Sequence, residues 1–251
     1  TREGYGIEIA DIAVPAAPVS VGLFETSYGP QAVAVSGTTA FIGDYITHGL
    51  QIVDFTDRVR PSILSELYFS FVTDVLVDGN LVYLTNGSGG LQIVNVSNVM
   101  APALTGAFDT SGTANGVALY GSYACVADGA SGLQIINVAN PAAPVLAGTY
   151  NTPGIAYGVA VSGNYAYVAD DTAGLQIINI SNPAAPTLAG AYDTPSNARG
   201  VAVRGAYAYV GDWNSFISFN ITNPASPVWG STFSATGAID VTLSGNYAYV
   251  A

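Results

Sequence analysis

A strand-like segment of six residues recurs six times along this 251-residue chain at an almost constant spacing. Its copies begin at residues 6, 49, 90, 132, 174 and 215, so successive starts lie 43, 41, 42, 42 and 41 residues apart. The clearest copies read GLQIVD, GLQIVN and GLQIIN, whereas the first and last are degraded to GIEIAD and SFISFN. A period of about 40–45 residues built from short strands is typical of the blades of a β-propeller.

Two further elements complete each repeat. A hairpin precedes the GLQI strand, as in GVAVSGNYAYVAD at 158–170, where two β-branched and aromatic runs flank a short turn that contains glycine. A proline-bounded connection follows it, as in NPAAPVLAGTY at 140–150, and leads into an outer strand. Since no stretch shows sustained helical periodicity, the sequence predicts an all-β propeller of four-stranded antiparallel blades.

The phase of the repeat predicts how many blades there are. The chain begins inside one blade and ends after the first two strands of another, and residues 5–28 resemble the missing outer pair. We therefore expect a six-bladed, single-domain ring, closed by N-terminal strands that complete the C-terminal blade. The predicted blades are 31–72, 73–114, 115–156, 157–198, 199–238, and 239–251 plus 1–30. The alternative is an open solenoid, which leaves both half-blades with unpaired edges.

The GLQIVD or GLQIIN strand, preceded by VAVSGNYAYVAD and followed by NPAAP, resembles the repeat of the LVIVD-repeat proteins over essentially the whole chain. The resemblance implies a propeller from a bacterial or archaeal protein that is secreted or exposed on the cell surface. It implies no activity, because that family carries no general catalytic motif. The chain starts at Thr1 with no signal sequence before the first repeat, so we expect a mature or excised form.

The charge composition excludes several partners. The chain has no lysine, and its five arginines face 17 acidic residues, which gives a net charge of −12. Nucleic acids and anionic membrane surfaces need clustered cations, so neither is an expected partner. No apolar run approaches the roughly 20 residues that span a bilayer. Only 9% of residues are charged, and such a surface of small polar residues offers little charge repulsion to a protein partner, although the net charge opposes self-contact.

Candidate ligand residues are those that break the repeat where each blade's first strand opens. At these two positions the blades read Gln31-Ala32, Thr73-Asp74, Asn115-Gly116, Tyr157-Gly158, Arg199-Gly200 and Ile239-Asp240. Asp74 and Asp240 replace a consensus glycine, and with Gln31 and Asn115 they predict oxygen ligands for calcium, the one candidate cofactor. The alternative is a polar, water-filled channel in which Arg199 balances a carboxylate.

Two loops after the second strand carry larger side chains than the usual glycine-rich turn. DYITHG at 44–49 contains Tyr45 and the only histidine, His48, and DWNS at 212–215 contains Trp213. Exposed aromatics of this kind bind a sugar or a partner side chain by stacking; packing within the loop is the alternative. His48 has no second zinc ligand nearby and no nucleophile-elbow motif is present, so no catalytic residue is predicted.

Other polar residues recur with the repeat and are therefore expected to be structural. Asp44, Asp128, Asp170 and Asp212, with Asn86 in the same place, end the second strand and suit hydrogen bonding to turn backbone. Asn86-Gly87-Ser88 also fits the N-glycosylation acceptor pattern. Asp171 lies outside the recurrence and is a candidate for a weak calcium site. Cys125 stands where other blades have tyrosine, which indicates a packing residue.

These observations lead to three hypotheses for the function. The first is a non-enzymatic, extracellular or cell-surface propeller that binds protein partners or copies of itself. The second is a glycan-binding or small-ligand-binding module that uses the aromatic loops at the channel mouth. The third is a calcium-dependent, hydrolase-like propeller.

Overall fold

The computed structural model of the chain describes residues 6–15, 17–26, 29–45 and 49–251. These residues form strands and turns, and none of them belongs to a helix that could cross a membrane. The strands are β1 (Gly6–Asp11), β2 (Val19–Glu25), β3 (Pro30–Ser36), β4 (Thr39–Asp44), β5 (Leu50–Asp54), β6 (Ser62–Leu67), β7 (Asp74–Asp78), β8 (Leu81–Thr85), β9 (Leu91–Asn95), β10 (Ala103–Phe108), β11 (Gly116–Tyr120), β12 (Tyr123–Ala127), β13 (Leu133–Asn137), β14 (Val145–Tyr150), β15 (Gly158–Ser162), β16 (Tyr165–Ala169), β17 (Leu175–Asn179), β18 (Thr187–Tyr192), β19 (Gly200–Arg204), β20 (Tyr207–Gly211), β21 (Trp213–Asn220), β22 (Val228–Ala238), β23 (Val241–Ser244) and β24 (Tyr247–Val250).

The fold is an all-β propeller of four-stranded antiparallel blades. Five sheets hold four consecutive strands each, namely β3–β6, β7–β10, β11–β14, β15–β18 and β19–β22. Two further sheets contain only two strands, β1 with β2 and β23 with β24. Each chain segment pairs with its neighbour in sequence, as the hairpin pattern predicts.

The prediction of six blades is wrong in its count, because the described chain forms five. Strands from 239–251 and from 1–30 were expected to share one sheet, but they form the two separate pairs β23–β24 and β1–β2. The sequence of β1 gives a physical reason. Glu8 stands where complete blades bury glutamine, and Ala10 replaces the larger Val53. A buried carboxylate and a smaller apolar side chain both weaken burial of this strand inside a full blade.

The chain divides into two compact units. The first comprises Thr1–Gly87 and Gln92–Ala107, and the second comprises Ser88–Leu91 and Phe108–Ala251. The single-domain organisation therefore stays a prediction. In the first unit the cores contain residues of β1–β2 and of the blades β3–β6 and β7–β10. In the second they lie between successive blades of β11–β22.

Strand β16 shows why the repeat reads as continuously apolar. Its alternate residues Ala166 and Val168 pack in the cluster shared with the blade β11–β14. Tyr167 and Ala169, on the opposite face, pack in the cluster shared with the blade β19–β22. Since both faces of the strand are buried, both sets of alternate positions are apolar. In β12, Cys125 occupies the position that Tyr167 has in β16. It is fully buried, which confirms its role in packing.

A glycine in the outer strand allows close approach of the next blade's proline-rich connection. A Cβ on Gly148 would lie 2.3 Å from the carbonyl oxygen of Pro183, and one on Gly190 would lie 2.2 Å from that of Pro224. Neither distance is compatible with a side chain, so any residue larger than glycine must push the two blades apart. The recurring LAG segment is therefore a contact between blades as well as a strand.

Candidate functional site

Three of the recurrent aspartates at the end of the second strand each hold the loop that enters their own blade. Asp128 Oδ1 accepts a hydrogen bond from Thr110 Oγ1 at 2.6 Å, and its Oδ2 accepts one from the Gly112 amide at 2.8 Å. Asp170 and Asp212 repeat this pattern, with Thr152 and Gly154 in one blade and Thr194 and Ser196 in the other. We call this arrangement the aspartate clamp, and it confirms the predicted structural role of Asp128, Asp170 and Asp212.

Burial controls the acidity of the clamps. It raises the pKa of Asp128, Asp170 and Asp212 above the ordinary value of 3.8, although the hydrogen bonds from the threonine and the backbone amide act in the opposite direction. The three side chains are fully buried. A substrate therefore has no direct access to these carboxylates, so their shifted pKa values reflect burial and not a catalytic role.

Asn86 takes the clamp position in the blade β7–β10, and the loop facing it has changed too. Phe69 stands where the other blades have the clamp threonine, and both Phe69 and Val72 are buried in the core of the first unit. The Oδ1 atom of Asn86 is buried and has no hydrogen-bond partner in the described structure. Buried apolar side chains thus take the place of the clamp threonine in the loop of this blade. Glycosylation of Asn86 stays a prediction.

The residues predicted to ligate calcium are held by nearby backbone. Asp74 Oδ1 accepts the Val75 amide at 2.8 Å, and Asp240 Oδ1 accepts the Val241 amide at 2.7 Å. Gln31 Nε2 donates to the Gly29 carbonyl at 3.3 Å, and Asn115 Nδ2 donates to the Ala156 carbonyl at 2.9 Å. Within the described ranges, no three His, Cys, Asp or Glu side chains are grouped to hold a metal. The calcium site stays a prediction that these contacts do not support.

Irregular residues of two adjacent blades in the second unit, and of the loop between them, meet around Arg199. Its Cζ atom lies 3.7 Å from the centroid of the Tyr157 ring and 5.7 Å from that of Trp213. Its Nη2 atom lies 3.5 Å from Asp171 Oδ1, which also accepts a hydrogen bond from Asn197 Nδ2. These five residues form what we call the Arg199 cluster. The expectation that Arg199 balances a carboxylate is confirmed, with Asp171 as its partner.

Asp171 and Trp213 take an unusual backbone conformation. They follow Asp170 and Asp212 directly, at the position where Gly129 follows Asp128 with φ of 57°. Asp171 adopts φ of 51° and Trp213 adopts φ of 47°. Aspartate tolerates this left-handed region, but tryptophan is rare there and costs about 1–2 kcal/mol relative to glycine. The turn itself therefore does not require these two side chains.

The structure brings together some of the predicted ligand residues but not others. Tyr157, Arg199 and Trp213 meet in the Arg199 cluster, whereas Tyr45 packs edge-on against Phe71 with ring centroids 4.9 Å apart. His48 lies outside the described residues. Sequence reasoning missed Asn197 entirely, and it assigned Asp171 to calcium. The replacement of glycine at the Asp171 position was the available signal.

A second feature that sequence reasoning missed is a row of aromatic rings across β20, β21 and β22. Ring centroids lie 6.4 Å apart for Tyr207 and Tyr209, 5.8 Å for Tyr209 and Phe216, and 6.3 Å for Phe216 and Phe233. Phe233 is 62% exposed and Tyr207 is 43% exposed. These four residues are the aromatic row, and they form a continuous apolar surface in the second unit.

Comparison with known proteins adds a family and a set of similar folds. A family model described as "LVIVD repeat" matches residues 30–68, 71–110, 111–152, 153–194, 195–234 and 236–251. No curated protein matches the sequence.

Among solved structures, a protein from Lactobacillus plantarum is similar with TM-score 0.84 and 17% identity, over 97% of this chain and 83% of that one. A periplasmic gluconolactonase from Pseudomonas aeruginosa has TM-score 0.82 and 16% identity, over 99% and 85%. A putative 6-phosphogluconolactonase from Bacteroides fragilis has TM-score 0.82 and 12% identity, over 100% and 84%. At these identities the similarity shows the fold alone.

Proposed function

This chain belongs to the LVIVD-repeat family, and from that premise we propose that it is a non-enzymatic propeller that associates with a second copy of itself. The observation that carries the proposal is the exposed aromatic row of Tyr207, Tyr209, Phe216 and Phe233. A secreted or cell-surface location is part of the proposal and is supported by the family resemblance.

The aromatic row corresponds to a surface that is covered in the preceding blade of the second unit. Phe216 pairs with Phe233 as Leu175 pairs with Tyr192 in the preceding blade. Leu175 is fully buried against the blade β19–β22. Phe216 is only half-buried, and Phe233 points largely into solvent. Contiguous exposed apolar surface of this kind marks an interaction site.

A second copy of the chain fits this surface for two reasons. The rings are uncharged, so two such rows can meet across a twofold axis. Only 9% of the residues of the chain are charged, which leaves few like-charged pairs at the contact, although the net charge of −12 opposes it. Only the exposed parts of the four side chains can be buried by a partner, and Tyr209 and Phe216 are already partly buried within the blade. The row alone therefore offers less than the roughly 800 Å² per partner of ordinary specific interfaces, so we expect a weak, reversible dimer.

Analytical ultracentrifugation over a concentration series tests the proposal. Wild type is expected to shift from monomer to dimer as its concentration rises, and Phe233→Ser is expected to remain monomeric. Leu188→Ser is the matched control, because Leu188 is also an exposed apolar side chain (48%) of an outer strand but lies outside the row. A wild type that is monomeric throughout, or a dimer that Phe233→Ser leaves intact, contradicts the proposal.

Hydrolysis of a lactone is the alternative that the names of two similar structures suggest. The names belong to those proteins. The described contacts of this chain do not favour the alternative, because the Asp74 and Asp240 carboxylates each accept a hydrogen bond from the backbone amide of the next residue. Thermal melting with calcium and with a chelator tests it, since an ion that binds only the folded state must raise the melting temperature. A calcium-dependent rise that Asp74→Ala or Asp240→Ala removes would revive the enzyme hypothesis.

A further inference from the structure

We propose that the Arg199 cluster is a binding site for a neutral saccharide. The site lies within the second unit and shares no residue with the aromatic row, so it is independent of the proposed self-association. Its residues come from two adjacent blades: Tyr157 opens one, Asp171 lies in a turn of the same blade, and Asn197, Arg199 and Trp213 belong to the loop and blade that follow.

Departures from the repeat at three neighbouring places converge on one guanidinium group. The Tyr157 ring lies against one side of it, and the Asp171 carboxylate pairs with Nη2. The Trp213 indole stands 5.7 Å away, with 46% of its surface exposed. Glycine serves the turn without strain at both the Asp171 and the Trp213 positions. Side chains that strain the backbone in this way are frequent at ligand sites.

The hydrogen-bonding capacity of Arg199 is not fully used. Its Nε–H is buried and has no hydrogen-bond partner among the described residues, and about a quarter of the side chain remains exposed. Since the Nε atom itself is shielded from solvent, a ligand oxygen reaches Arg199 only at the exposed part of its side chain. Arg199 is thus held in place by stacking and pairing and still has donors to offer.

The charges of the cluster select the class of ligand. A cation is disfavoured, because Arg199 is itself a cation within reach of both aromatic rings that would otherwise bind one. An anion is disfavoured, because Asp171 already neutralises Arg199 and the chain carries a net charge of −12. A neutral, hydroxyl-rich ligand suits both the aromatic ring and the polar groups of the site. Its C–H face packs on the Trp213 ring while its hydroxyls pair with the guanidinium, the Asp171 carboxylate and the Asn197 amide.

Titration calorimetry with maltotriose, cellotriose, mannotriose and chitotriose, and with trigalacturonate as the anionic counterpart, tests the inference. We expect saturable binding of at least one neutral trisaccharide and no binding of trigalacturonate. The decisive variant is Trp213→Gly. It restores the glycine of the repeat at a left-handed position, so the melting temperature should stay the same or rise while binding weakens by about tenfold or more.

Tyr45→Ala is the matched control, since Tyr45 follows Asp44 as Trp213 follows Asp212, but it lies in the first unit. It should leave saccharide binding unchanged. Arg199→Lys keeps the charge but loses the planar fork, and we expect it to weaken binding as well. Failure of every neutral probe to bind, binding that Trp213→Gly leaves intact, or tighter binding of trigalacturonate overturns the inference.

Discussion

The aspartate clamp of the blade β11–β14 permits a quantitative test, because one buried and one partly buried donor depend on one carboxylate. Asp128→Ala leaves Thr110 Oγ1 and the Gly112 amide without their acceptor. A hydrogen bond to a charged group contributes about 1.5–3 kcal/mol, and the desolvation that raises the pKa of Asp128 offsets part of this. We expect a net loss of about 2–4 kcal/mol in the free energy of unfolding. For a chain of this size the melting temperature should fall by about 5–15 °C.

A double-mutant cycle with Thr110→Val tests whether Thr110 and Asp128 stabilise the fold through their shared hydrogen bond. Thermal unfolding followed by circular dichroism should show about 1–2 kcal/mol for Thr110→Val alone. The double variant should be little worse than Asp128→Ala, because the two groups share one hydrogen bond. Asp109→Ala is the control, since Asp109 is exposed beside the same loop. Additive losses, or an Asp128→Ala variant within about 0.5 kcal/mol of wild type, would refute the clamp as a source of stability.

The pH dependence of the same comparison has a definite sign. The pKa of Asp128 is raised in the folded state, so the folded chain binds this proton more tightly than the unfolded chain. Its stabilising contribution is therefore fully present below the ordinary pKa of 3.8 and is lost as the pH rises through the folded pKa. The difference in melting temperature between wild type and Asp128→Ala should be larger near pH 3.5 than at pH 7, and a difference that shrinks on acidification contradicts this sign.

Three further substitutions or reactions test separate parts of the structure. Gly148→Ala should destabilise by about 1–3 kcal/mol through its clash with the next blade, and more than Gly163→Ala, which has open space and only a positive φ to oppose it. Asn86→Asp should lower the melting temperature, because the buried Oδ1 position has no donor for a carboxylate. Burial raises the pKa of the Cys125 thiol to about 12, so iodoacetamide should label it only after unfolding, and rapid labelling of the native chain at pH 8 would contradict its buried position.

Much of the fold could be predicted because one period accounts for the whole chain. The GLQI strand, its preceding hairpin and the proline-bounded connection predict the four strands of each complete blade. The prediction of a sixth blade was wrong because it relied on where each segment falls within the repeat and did not compare the side chains. Glu8 and Ala10 occupy places that complete blades fill with buried glutamine and valine or isoleucine. The contact of Gly148 with the next blade was missed because it depends on how adjacent sheets approach each other.

Departure from the repeat was an incomplete guide to the site. It selected Tyr157, Arg199 and Trp213, which the structure brings together. It also selected Asp74 and Asp240, but each of these forms a hydrogen bond with the residue that follows it. A local hydrogen bond of this kind makes an irregular aspartate structural without any ligand. The partnership of Arg199 with Asp171 joins residues of adjacent blades, so it could be recognised only after their packing was known.

The aspartate clamps also bear on how the chain folds. Each clamp joins residues only 16 to 18 positions apart, so the loop that enters a blade is secured within that repeat. Contacts that are short in sequence close with little loss of chain entropy and form early. We therefore expect blades to become ordered one after another as the chain leaves the ribosome, with each finished blade acting as a template for the strands that follow.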